Sequence, residues 1–343
     1  MKKFLLLTLC LFIFGFAMTF AEGQKEGDTV GGSEKPVVMK VAHAQPEHTP
    51  RHKSYVRFKE LVEERSNGTI EVEIYPHGEL GVEHDVTEQV KLGTIQSTRS
   101  GSFEMITPKL LIYTMPFLFE DVEGLRKITR GPLGEKLVAK DAEKNGFKLL
   151  ATGDAGYFRH VTNNVRPIET PEDMEGLKMR TPPIESIIKT MEALGANPVS
   201  IPYAEVYMAL KTGVADGQEN PFINIEAMKF HEVQKYLTVV NYQWHPDPFV
   251  VNLEWYNNLK PEHQKIVKEA AVEAMEYNDS MMKSASEEAF NKIKDSFDEI
   301  TRLTDRQRQV FIDAVQPVYD YYINKGLFSM AELEQIRETA AGN

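Results

Sequence analysis

The chain has 343 residues, a formal net charge of −12 and a single cysteine, Cys10. That acidic balance excludes nucleic acid and anionic lipid as partners, since both would be repelled. One cysteine forms no disulfide within the chain, and the mature chain expected below has none, which excludes thiolate metal sites and a cysteine nucleophile. Lys2 and Lys3 precede an apolar run from Phe4 to Phe16, and Thr19-Phe20-Ala21 follows. This pattern predicts a secretory signal peptide over residues 1–21, cleaved near Ala21, and hence a periplasmic protein. The run is short for a bilayer span, so an uncleaved anchor is the weaker alternative. Lipidation would need Cys10, which lies inside the apolar run without a small residue before it. Loss of Lys2 and Lys3 takes the charge from −12 to −14. An anionic ligand would therefore need a local arginine cluster.

Residues 22–36 are polar and glycine-rich and read as a disordered tether. Val37–Ala42 alternates as a strand, and a helix follows with Tyr55, Phe58, Leu61 and Val62 on one face, closed by Asn67-Gly68. Ile70, Val72 and Ile74 alternate as a second strand up to Pro76, and Val82, Val86 and Val90 recur at helical spacing up to Gly93. This exchange of strand and helix predicts βαβ units and a largely parallel sheet. The pattern restarts at the strand 147–152. Thr170-Pro171-Glu172-Asp173 is a helix start, with a capping threonine, proline at the first position and acids at the positive end. A strand over 177–181 stops at Pro182-Pro183. Helices follow with Ile184, Ile187, Ile188, Met191 and Leu194 on one face, and over 204–212.

From Glu262 to Gln316 there is neither glycine nor proline, and Ile266, Val267, Ala270, Ala274 and Tyr277 continue an apolar stripe. One helix of roughly thirty residues, about 45 Å long, would brace two domains. Two shorter helices broken near Asn278-Asp279 fit the sequence equally well.

Arg159 (GYFRHVTNN), Arg180 (GLKMRTPP) and Asn220 (DGQENPF) stand near the ends of predicted strands, where open α/β sheets present ligand-binding groups. Leu177 and Met179 take one face of their strand, leaving Arg180 on the other, and a guanidinium grips a carboxylate with two parallel hydrogen bonds. Asn220 precedes Pro221, which favours an extended backbone. His43, His48 and His52 have no zinc spacing, and Pro46 and Pro50 break any helix that would align them, so no metal is expected. His231-Glu232 lacks the second histidine of a metalloprotease helix. The chain has no nucleophile elbow, phosphate loop or dinucleotide fingerprint, so neither catalytic residues nor a cofactor are expected. Trp244-His245 suits either a ring-stacking or a core and hinge role.

Several segments together resemble the substrate-binding proteins of TRAP (tripartite ATP-independent periplasmic) transporters, DctP type. They are KVAHAQP at 40–46, YPHGELG at 75–81, MPFLF at 115–119, RPIETPEDMEGLKMRTP at 166–182, EVYMALKTGVADGQENP at 205–221 and KFHEVQKYL at 229–237. The resemblance implies an α/β, two-domain periplasmic binding protein-like (Venus flytrap) fold with a long helix spanning both domains. The first domain would comprise 37–156 plus about 246–285, the second 157–245 plus about 286–343. It further implies Arg180 as the principal carboxylate ligand, with Arg159, Asn220, Tyr203 and Glu83 beside it. Gln45 and Arg99 are secondary candidates, Arg99 because STR resembles a pair found in some sugar-acid binders. Sialic-acid binders of the family carry asparagine, glutamate and arginine where Ala44, Gly101 and Glu104 stand here, which argues against sialic acid. The expected function is capture of a small carboxylate, a sugar acid such as a hexuronate before a C4-dicarboxylate, by a monomer that delivers it to integral membrane subunits. A binding protein of another transporter or receptor, and a periplasmic enzyme, are the lesser alternatives.

Overall fold

The computed structural model describes residues 35–342; the expected signal peptide, Cys10 and nearly all of the expected tether lie outside them. Strands β1 (Val37–Ala42), β2 (Ile70–Tyr75), β3 (Ser97–Arg99) and β4 (Phe147–Asp154) come first. Strands β5 (His160–Asn163), β6 (Lys178–Thr181), β7 (Asn197–Ser200), β8 (Gly217–Asn220) and β9 (Tyr236–Val239) follow. The last two are β10 (Pro246–Asn252) and β11 (Glu299–Arg302). They form two sheets, ordered β2-β1-β3-β10-β4 and β11-β9-β5-β8-β6-β7.

The expectation of a largely parallel sheet holds for all but one strand of each sheet. β10 runs antiparallel to both β3 and β4, and β5 antiparallel to both β8 and β9. Each of these strands is the first that the chain enters after crossing from the other sheet, through 155–159 or 240–245. A strand entered that way starts at the sheet edge where its antiparallel neighbours end.

Local chemistry explains most boundaries. The Thr49 hydroxyl caps the helix Pro50–Arg65, which buries Tyr55, Phe58, Leu61 and Val62, and Asn67 and Gly68 leave it with positive φ. Gly93 closes the helix Glu83–Leu92 in the left-handed conformation. The helix start at Thr170 makes its capping box but yields only one 3-10 turn, Pro171–Met174. Gly176, at φ 76°, turns the chain at once into β6.

The long helix is continuous from Pro261 to Ile293, 33 residues, or about 50 Å. Asn278 and Asp279 do not break it because their side chains bond to another segment instead of competing for the helix backbone. Asn278 Nδ2 donates to the Asp154 carbonyl at 3.0 Å, and Asp279 Oδ1 accepts from the Asp154 amide at 3.0 Å. The buried face therefore passes through Asn278, while Tyr277, expected on the stripe, is exposed. Val267, Ala270, Ala271 and Ala274 pack with Tyr55, Phe58 and Phe249 beside the first sheet. Further along, Ile293 packs with Phe230 and Leu237 beside the second. The helix spans both sheets.

Asp154 ends β4 where the chain begins to cross. Its Oδ1 accepts from the amides of Gly156 (2.9 Å) and Tyr157 (2.6 Å), while Oδ2 is buried without a partner. Burial and the nearby Asp279 push its pKa up to about 7. The native carboxyl therefore holds a proton that an unfolded chain releases near 3.8. Its stabilisation is complete below that value and disappears as pH climbs towards 7. Asp154→Asn should flatten this slope. In urea denaturation the variant is expected to lose less stability than the wild type between pH 5 and 8, and to exceed it at pH 8 by about 1–3 kcal/mol. Identical slopes for the two proteins would reject this assignment.

Candidate functional site

Strand register gathers the second sheet's polar residues at one edge. Arg180 is the penultimate residue of β6 and Asn220 the last of β8, with Arg180 in register with Gln218 and His160 with Asn220. Because β5 runs the opposite way, its start lies beside the end of β8, and Arg159 falls next to Asn220. Pro182-Pro183 then ends β6. Facing this edge, Gln45 follows β1, Arg51 opens the helix after it, and Glu83 opens the helix after β2. These groups line one cavity of about 350 Å³, together with Tyr203 and His245. Six of the seven expected ligand-binding residues thus lie on a common surface.

The two arginines of the second sheet are bonded differently. Arg159 is compensated: its Nε and Nη2 grip the Glu219 carboxylate, and Nη2 also reaches the Glu219 carbonyl (2.8 Å) and Asn220 Oδ1 (3.1 Å). Burial pulls its pKa down, but Glu219 outweighs this and the net shift is upward. Arg180 is 1% exposed. Its Nε and Nη2 both donate to the Ile201 carbonyl, at 2.9 and 2.7 Å, and among the described residues no carboxylate forms an ion pair with it. Burial lowers its pKa to about 10, so it is a cation at neutral pH. Asn220 completes the edge: Oδ1 accepts from Arg159 and from Asn224 Nδ2 (3.1 Å), and Nδ2 donates to Gln218 Oε1 at 2.5 Å.

The first sheet's arginines form a second cluster. Asp247 Oδ2 accepts from Arg51 Nε at 3.2 Å and from Arg99 Nε at 3.0 Å. Arg99 spends its other donors on Ser54 and Asn278, and its guanidinium lies over the Tyr55 ring. It is fully buried and absent from the cavity wall, so the expectation that Arg99 meets ligand is corrected. Its partners lie 45, 148 and 179 residues away in sequence. Glu104 is likewise not on the wall; its Oε1 accepts from the Glu185 amide at a helix start. Gly101 is on the wall, and a Cβ there would come within 3.0 Å of Glu83 Oε2.

Arg51, Glu219 and Asp247 were not picked out from sequence as site residues, and His245 was singled out only for a ring-stacking or a core and hinge role. Arg51 carried a legible signal, since a cation in the first helical turn opposes the macrodipole and some other interaction must hold it. His245 Nδ1 meets Arg159 Nη1 at 3.2 Å, and Nε2 meets Gln243 Oε1 at 3.1 Å. Burial, reinforced by Arg159 and Arg180, holds its pKa well below the usual histidine range. A neutral ring accepting at Nδ1 and donating at Nε2 satisfies both contacts. Four guanidiniums (Arg51, Arg99, Arg159, Arg180) thus meet three carboxylates (Glu83, Glu219, Asp247), leaving one positive charge, on Arg180. Among the described residues three polar atoms of the wall are buried without a hydrogen-bond partner: Gln45 Oε1, Arg51 Nη1 and the Tyr203 hydroxyl. Among the described residues no group of histidine, aspartate, glutamate or cysteine side chains could hold a metal ion, and no helix is long and apolar enough to cross a membrane.

The family model for bacterial extracellular solute-binding protein family 7, DctP, matches residues 41–325. The C4-dicarboxylate-binding periplasmic protein DctP of Rhodobacter capsulatus is 33% identical over 298 residues, covering 83% of this chain and 86% of that protein. The 2,3-diketo-L-gulonate-binding periplasmic protein YiaO of Escherichia coli K12 is 33% identical, covering 77% of this chain and 80% of that protein. Among solved structures, a TRAP periplasmic solute binding protein from Roseobacter denitrificans with bound β-D-glucuronate superposes with a TM-score of 0.83 at 27% identity. That match covers 88% of this chain and 99% of the other. A TRAP periplasmic solute binding protein from Sulfurospirillum deleyianum with bound succinate gives 0.83 at 28% identity, covering 89% of this chain and 100% of the other. Fold, cleft and sequence agree: the chain belongs to extracellular solute-binding protein family 7 and is a TRAP periplasmic solute-binding protein of the DctP type.

Proposed function

We propose that this protein captures a sugar acid, such as a hexuronate, between its two sheets and delivers it to the membrane subunits of a TRAP transporter. It works as a monomer, after cleavage near Ala21. The observation that carries this reading is Arg180, a buried cation on the cavity wall with no carboxylate partner. A ligand carboxylate would supply the missing charge through two parallel hydrogen bonds. Tyr203, Asn220, Gln45 and Glu83 provide polar contacts for a hydroxylated body, supported by the orphaned atoms of Gln45 and Tyr203. The lobes are 37–156 with about 246–285, and 157–245 with about 286–343. The last helix, Met330–Ala341, packs on Val122–Thr129 and ties the second to the first.

Micromolar capture needs about 8 kcal/mol. Charge-assisted hydrogen bonds contribute about 1.5–3 kcal/mol each, so the arginine fork and one or two polar contacts reach much of that value. Exclusion of water as the lobes close strengthens each pairing and supplies the remainder. A C4-dicarboxylate is the second reading, favoured by the R. capsulatus relative and the succinate-bound structure. The single uncompensated charge supports a monocarboxylate as the first reading.

A melting-temperature screen over hexuronates, aldonates and C4-dicarboxylates tests the substrate class, because a ligand bound only by the native state raises the transition. A hexuronate is expected to give the largest shift, and a larger one from a dicarboxylate would reverse the order of the two readings.

The two arginines should separate function from stability. Arg180→Met removes a buried charge worth up to about 3 kcal/mol of burial penalty, by its lowered pKa. It also leaves the Ile201 carbonyl without donors, at about 1–3 kcal/mol. These terms offset, so the apo melting temperature is expected to change little while calorimetric binding of the acid disappears. Arg159→Met instead strands the Glu219 carboxylate in the interior, costing about 3–5 kcal/mol, or roughly 10 °C in calorimetric melting. Undiminished affinity in the Arg180 variant would remove the basis of the proposal.

A further inference from the structure

Arg51 and the charges around it bear on which acids fit. It lies in the first turn of the helix Pro50–Arg65, 6% exposed and on the cavity wall. Its Nε is bonded to Asp247 Oδ2, its Nη1 stands 3.5 Å from Glu83 Oε1, and that Nη1 is buried with no hydrogen-bond partner. Two guanidiniums, Arg51 and Arg99, therefore share two carboxylates, Asp247 and Glu83. The first sheet's side of the cavity offers strong donors without net positive charge.

We infer that Arg51 is a specificity-determining residue, which donates to uncharged hydroxyl oxygens of the bound acid and, with Glu83, selects against a second carboxylate. The inference rests on the sugar-acid reading above and specifies how that class is distinguished from dicarboxylates. A hydroxyl both donates and accepts, and this wall presents both kinds of partner. Arg51 Nη1 donates, Gln45 Oε1 and the Glu83 carboxylate accept, and the Tyr203 hydroxyl does either. Three of these four groups have an atom left unpartnered by the protein. A carboxylate placed here would gain the Arg51 donor but meet Glu83 at close range, with the arginine's charge already spent. Hydroxyls meet no such repulsion. Asp247 fixes the guanidinium from behind, and its second guanidinium partner, Arg99, keeps it paired when Arg51 is replaced.

Calorimetric titrations of D-galacturonate, its dianionic aldarate galactarate, and succinate against four proteins decide the matter. The wild type is expected to favour the monoanionic hexuronate. Arg51→Met should weaken hexuronate binding tenfold or more, and Arg51→Lys should weaken it too, because an ammonium lacks the planar fork. Glu83→Gln leaves the wall one positive charge richer and should raise galactarate affinity relative to galacturonate at least tenfold. It reports independently if an Arg51 variant fails to fold. Hexuronate affinity within twofold of wild type in Arg51→Met, or an unchanged preference in Glu83→Gln, would overturn the inference while leaving the sugar-acid reading intact. A wild type that binds succinate and no hexuronate would overturn both.

Discussion

A guanidinium withdrawn from water without a counter-charge is unfavourable, and proteins normally pair it or leave it at the surface. In this cleft Arg159 has Glu219, and Arg51 and Arg99 share Asp247, with Glu83 beside Arg51. Among the described residues Arg180 has only the Ile201 carbonyl, and burial lowers its pKa. The compensation of its neighbours gives that isolation its meaning: one site, and one charge, is left for an incoming anion. Under the proposed function it also reconciles an acidic protein with an acidic ligand, since attraction then comes from a single sheltered cation and not from the global field.

The fold provides the shelter through strand direction. Parallel strands β6 and β8 end at the cleft, and the antiparallel β5 begins there, so strand ends and a strand start deliver Arg180, Asn220 and Arg159 to one edge. The crossing segments that make β5 and β10 antiparallel are bonded to each other as well. The Ala155 amide donates to the His245 carbonyl at 3.3 Å, and the Arg159 amide to the Gln243 carbonyl at 3.0 Å. Site residues thus sit on the same ribbon that links the two sheets.

Much of this was legible in the sequence, and the exceptions have a common cause. Period-two alternation placed Arg180 opposite Met179, and Pro182-Pro183 marked the end of its strand, because both signals are local. Arg99 was a secondary candidate, through the resemblance of its Thr-Arg pair. Its burial depends on Ser54, Asp247 and Asn278, which only the folded chain brings near. Asn278-Asp279 left a continuous helix and a break equally open for the same reason: two poor helix formers are tolerated because Asp154 occupies their side chains. Thr170 failed in the opposite direction. Its capping box forms as the local chemistry dictates, but the chain must enter β6 within a few residues, and the helix has no length in which to grow.

These long-range contacts also connect stability with recognition. Asp154 ties the end of β4 to the first crossing through Gly156 and Tyr157, and its backbone bonds to Asn278 and Asp279 at the middle of the long helix. Asn278 also accepts from Arg99, which grips Asp247, which holds Arg51 at the cavity wall. A continuous chain of polar contacts therefore runs from the crossing to the cavity wall, and beyond the local turn at Asp154 every link joins partners distant in sequence. Buried networks of this kind are unforgiving, because a missing member leaves its neighbour unpaired at low dielectric. Under the inference drawn above, the same network would hold the Arg51 guanidinium in place before the acid arrives. A preorganised fork loses little entropy on binding, so more of each charged hydrogen bond appears as affinity.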